Sequence, residues 1–130
     1  MLLPHGTVVA VIDARNFHLY RNAGTEAEPE LLEAPVPRLD AHNHSAASHH
    51  GEGAAVMTGD AHAIAAIDWL NGEVQGHRIT HLVVIAPPRS MGEIRKHYAK
   101  PLEQALLGEL AKDLQGLKGA EILAALRARG

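Results

Sequence analysis

Two runs, TVVAVID at residues 7–13 and THLVVIA at residues 80–86, are apolar at nearly every position and lack the alternation that leaves one face of a strand wet. A strand of that kind is stable only when both its faces are covered, so each run is expected inside a sheet with helices packed on it. That requirement points to an α/β domain.

The rest of the chain supplies the neighbours. NFHLYRN, residues 16–22, alternates Phe17 and Leu19 against His18 and Tyr20, which predicts a strand with one wetter face, joined to the first run as a hairpin across Ala14 and Arg15. PELLEA, residues 29–34, is a weaker third strand closed by the PVP that follows. Residues 38–59 turn to Ala, Ser, Gly and His without apolar periodicity and read as a loop. Asp60 offers an N-cap, and Ile64, Ile67, Leu70 and Val74 recur at helical spacing, predicting a helix over 60–75 that ends near Gly76. Pro87 and Pro88 stop the second apolar run, and Ser90 with Glu93 forms a capping-box pattern for a helix reaching about Lys100. Beyond it, leucines at helical spacing predict helix almost throughout. Gly116 and Gly119 mark a break before a last helix over 119–128, and a short strand over Leu106 to Ala111 is the alternative. The order β-β-β-α-β-α-β-α predicts a mixed sheet of about five strands, the first, fourth and fifth parallel, with helices packed on it. That is the architecture of a ribonuclease-H-like fold, expected as one domain over residues 1–130.

Composition narrows the function. Only four residues are aromatic, which disfavours a platform for stacking bases and leaves Val, Ile, Leu and Ala to build the core. There is no cysteine, hence no disulfide and no thiolate metal site. No apolar run is long enough to span a membrane, and MLLPHGTVVAVID lacks the basic flank and cleavage site of a signal peptide; a cytoplasmic protein without membrane contact is expected. The formal net charge of −3 hides an asymmetry. Four Arg face ten acids through residue 88, a balance of −6, whereas eight Lys and Arg face five acids from Arg89 onward, a balance of +3. The basic part begins where the second run breaks, which is compatible with phosphate binding there.

Three constellations carry chemistry. A ribonuclease-H-type nuclease needs acids gathered at strand ends and on the first helix, because two Mg²⁺ ions clamp the attacking and leaving oxygens. Asp13, Asp68 and Asp113 are the candidates, with Asp60 as an alternative on the helix, but the fourth strand ends in Ala86, Pro87, Pro88 and Arg89. A cation in that place competes with metal, and Asp residues at such positions more often cap turns. HNHSAASHH places His42, His44, His49 and His50 together as weak ligands for a transition metal, with no H-E-x-x-H helix to fix them. His18 and His97 are expected as surface residues. The third constellation is the junction itself. Ser90, Met91 and Gly92 are expected at a helix N-terminus, where free N–H groups favour an anion, with Arg89, Arg95 and Lys96 around them and Lys112 further on. No nucleophile elbow or glycine-rich phosphate cradle occurs, and no cofactor is expected.

The stretch from LVVIAPPRS to the C-terminus, above all APPR, GEIRKH and KDL, resembles the bacterial host attachment protein family, whose domain is similar to the central domain of eukaryotic and archaeal peptide-chain release factors. VVAVIDARNFHLYRN resembles the opening hairpin of the same family, so the likeness covers nearly the whole chain. It implies a strand just before Lys112, Asp113 and Leu114, in place of the helix that periodicity predicts there. The chain departs from the family at residues 38–58, histidine-rich where an acidic, arginine-rich linker is expected. The resemblance implies a non-enzymatic, translation-related protein that binds the ribosome or RNA. The alternatives are a Mg²⁺-dependent nuclease or an adaptor for a cell-surface attachment protein. The catalytic Gly-Gly-Gln of release factors is absent from the sequence, so peptidyl-tRNA hydrolysis is not expected.

Overall fold

The structure, a computed structural model, describes residues 1–39 and 59–129. The elements are β1 (Val8–Ile12), β2 (Phe17–Asn22), β3 (Leu31–Ala34), α1 (Gly59–Gln75), β4 (Leu82–Ala86), α2 (Pro88–Ile94), a 3-10 turn (Arg95–His97), α3 (Lys100–Ala105), β5 (Leu106–Ala111) and α4 (Gly119–Arg129). They form one sheet in the order β3-β2-β1-β4-β5. β1 runs antiparallel to β2 and parallel to β4, and β4 runs parallel to β5. This is the expected mixed sheet with helices, consistent with a ribonuclease-H-like α/β arrangement.

The two apolar runs sit where their composition demands. Every residue of β1 and of β4 is buried. On one face Val8, Ala10, Ile12, Leu82, Val84 and Ala86 meet Ala63, Ala66, Ile67 and Leu70 of α1, with Met91, Ile94 and Leu102 from α2 and α3. The alanines let α1 lie close to the sheet, a substitute for the aromatic bulk that the chain lacks. On the other face Val9, Val11, Val83 and Ile85 are covered by Ile122, Leu123 and Leu126 of α4, together with Leu3. Fully burying one such leucine or isoleucine contributes about 1.5–3 kcal/mol. Gly119 lets α4 approach β3, because a side chain there would run into the Leu31 carbonyl.

Two local expectations need correction, and two others are met with details the sequence did not show. Tyr20 does not face water. It is 8% exposed and packs beneath α4, its hydroxyl donating to the Leu117 carbonyl at 3.2 Å, so β2 is covered on both sides there. Helix α1 ends at Gln75, beside Gly76 as expected, in a Schellman cap whose left-handed residue is His77 (φ 62°). The Arg78 amide bonds the Glu73 carbonyl and the His77 amide the Val74 carbonyl. The helix expected to reach Lys100 ends at Ile94 and tightens into the 3-10 turn over Arg95–His97; it does not run on through Pro101, which has no N–H to return to the His97 carbonyl and whose ring would strike it. Asn71 joins the two broken ends, its Nδ2 donating to the His97 carbonyl at 2.9 Å and its Oδ1 accepting from the Ala99 amide at 3.0 Å. Residues 106–111 form the edge strand β5, as the family resemblance implies and against their helical leucine spacing, because the open side of β4 offers a full ladder from Leu82 to Ala86. Leu107 is the extra residue of a bulge between the Leu82 and Val83 pairings.

Candidate nucleic-acid interface

Because β1, β4 and β5 are parallel, their C-terminal ends share one edge of the sheet. After β1 comes the turn to β2. Its shape is set by Asp13, whose Oδ1 accepts from the Arg15 amide at 2.8 Å and the Asn16 amide at 2.6 Å, while Oδ2 accepts from Asn16 Nδ2 at 3.3 Å. Partial burial pushes the Asp13 carboxyl upward, but the backbone bonds from Arg15 and Asn16, the Asn16 side chain and the nearby His62 outweigh it, and its pKa is lowered. From the first turns of α1, His62 Nδ1 meets the Asp13 carbonyl at 2.9 Å. A carbonyl only accepts, so Nδ1 carries the proton of that bond. Arg15 projects from this turn, exposed.

After β4, Pro87 and Pro88 divide the work: Pro87 ends the strand and is the N-cap, and Pro88 occupies the first turn of α2, where a missing N–H costs nothing. That moves the helix start ahead of the expected one. Ser90 therefore lies inside the helix and does not cap it, and the Ser90–Glu93 capping box does not form. The Met91 amide is taken by the Pro87 carbonyl at 2.8 Å. Gly92 is also internal to this seven-residue helix, while Ser90 lies in its first turn, so the expected row of free N–H groups does not run over Met91.

The cations divide into two groups. Arg95 is held by Glu109 of β5, with Nη2 at 2.9 Å and Nε at 3.0 Å from Oε1, and this bond raises its pKa further. Tyr98 donates to the other oxygen of the same carboxylate at 2.6 Å. Burial and that bond push the Tyr98 pKa strongly upward. Lys96 reaches Glu93 at 3.4 Å, and His97 lies 3.8 Å from the same carboxylate. Arg89 and Lys112, by contrast, are exposed and make no ion pair among the described residues. The register pairs Ala86 with Ala111, so Arg89 and Lys112 follow adjacent strand ends. Arg15, which sequence reasoning treated only as part of a turn, joins them at the same edge.

The carboxylates do not gather. Asp113 accepts from the Gln115 amide at 3.2 Å, Asp68 lies exposed on α1, and Asp60 sits in the first turn of that helix, not at its N-cap. Among the described residues no group of three His, Asp or Glu side chains is placed to hold a metal ion, so Asp13, Asp68 and Asp113 do not form a metal centre. His42, His44, His49 and His50 lie outside the described residues. His18 is half-exposed, 3.7 Å from Glu33. No described helix is long and apolar enough to cross a membrane. Sequence reasoning missed Asn71, Glu109 and His62, whose partners are remote in the chain; only the change from helical to strand geometry at Leu106 would have put Glu109 beside Arg95.

No curated protein matches the chain. A family model described as bacterial archaeo-eukaryotic release factor family 12 matches residues 6–126, from the turn before β1 to the last buried leucine of α4. It bears out the release-factor likeness read from the APPR, GEIRKH and KDL motifs. The chain belongs to bacterial archaeo-eukaryotic release factor family 12.

Proposed function

We propose that this protein is a non-enzymatic factor acting in translation, which associates with the ribosome by gripping RNA phosphates at the C-terminal edge of its sheet. Membership of a release-factor family supports the setting. The observation that carries the contact is the freedom of Arg89 and Lys112, exposed at neighbouring strand ends without ion-pair partners among the described residues. Arg15 extends the same edge, and the Asp13 carboxylate beside it is tied into its own turn by backbone N–H groups. Arg95 and Lys96 are engaged with Glu109 and Glu93 and contribute little to binding.

Phosphate contacts release counterions, so such binding weakens steeply with salt. Purified ribosomes are sedimented with the protein at about 50 and 200 mM salt, a span over which several phosphate contacts lose most of their affinity. Co-sedimentation at the lower salt that is largely lost at the higher is expected. No co-sedimentation at the lower salt, or recovery from cells of a protein partner without RNA as an attachment adaptor requires, would overturn the proposal. The nuclease alternative predicts Mg²⁺-dependent cleavage of RNA that is lost in Asp13→Asn; the binding reading predicts intact RNA.

A further inference from the structure

We infer that the RNA taken by this edge is double-helical and is recognised by its backbone rather than by its bases. This rests on the reading of the edge as an RNA contact and adds the class of RNA.

Proteins that hold single strands supply aromatic faces on which unstacked bases lie. All four aromatic side chains of this chain are committed elsewhere. Phe17 is buried and meets Trp69 edge to face, with ring centroids 5.9 Å apart at 73°. Tyr20 is beneath α4, with its hydroxyl on the Leu117 carbonyl. Tyr98 packs against the core and donates to Glu109. His62, the imidazole beside the edge, is turned to the Asp13 carbonyl. What the edge offers is charge on a rigid frame. Arg15, Arg89 and Lys112 follow the ends of strands whose spacing is fixed by the ladder at about 4.8 Å each. Cations carried past neighbouring strand ends suit the regular phosphate array of an A-form duplex, which is read by shape and backbone. A flexible single strand would have to be ordered against it without stacking in return.

Three phosphate contacts to a duplex predict a salt slope of about −2.7, hence an affinity loss of about 40-fold between roughly 50 and 200 mM salt. The test is fluorescence anisotropy at low salt with a mixed-sequence RNA duplex of about 16 base pairs and an oligouridine of the same length. The duplex is expected to bind at least about ten-fold more tightly, the deficit of a single strand that finds no stacking face. Arg15→Ala, Arg89→Ala and Lys112→Ala combined should reduce duplex binding by about ten-fold or more and flatten the slope. Equal or tighter binding of oligouridine overturns this inference and leaves the RNA reading standing. Binding of neither overturns both.

Discussion

Arg89 and Arg95 belong to the same basic stretch and are equally visible in the sequence, yet they do different work. Arg95 is fixed to Glu109, which also receives the Tyr98 hydroxyl, so that three side chains fasten the segment after α2 to the edge strand β5. Arg89 makes no such bond among the described residues and stands where β4 ends beside β5. A cation that holds the fold is largely neutralised by its partner; one at a strand end with no partner keeps its charge for a ligand. Charge counted along a sequence does not separate the two, whereas the path of β5 does.

The difference can be broken from its structural side first. Glu109→Ala leaves the half-buried Tyr98 hydroxyl without its acceptor and releases Arg95, and it should cost about 2 kcal/mol in urea unfolding, within the range for stranding buried polar groups. Tyr98→Phe removes one hydrogen bond and should cost about 1 kcal/mol near neutral pH. The pH dependence sharpens it. The folded pKa of Tyr98 is raised above its unfolded value, so its contribution is whole below about pH 10 and is lost as pH rises beyond it. The gap between the wild type and Tyr98→Phe should therefore narrow in alkali. At the small end, Arg89→Ala with Lys112→Ala should change stability by less than about 0.5 kcal/mol, as for exposed residues without partners among the described residues. A loss at Arg89 and Lys112 comparable to that at Glu109 would erase the distinction.

What the sequence disclosed follows from how local each signal was. β1 and β4 were legible because their residues are apolar on both faces, and α1 because Ile67, Leu70 and Val74 repeat on one side. The turn role of Asp13 was legible for the same reason, since its partners are two and three residues away. Ser90 misled because a proline pair can start a helix as well as end a strand, and Pro88 did so before the serine was reached. Residues 106–111 have helical periodicity and a strand's fate; the family likeness anticipated the strand, and the pattern of leucines did not. The clamp at Asn71 spans 26 and 28 residues, a separation at which no local pattern speaks. Of the site, the residue types were visible, but which cations would be bonded depended on those distant pairings.

The most direct test of the division between the two groups of cations is to measure ribosome co-sedimentation at low salt for two double variants side by side. Arg89→Ala with Lys112→Ala should lose most of the bound fraction while unfolding like the wild type, and Arg95→Ala with Lys96→Ala should keep most of it while unfolding at lower urea. If the second pair abolishes binding and the first leaves it intact, the assignment of the sheet edge as the RNA contact is contradicted.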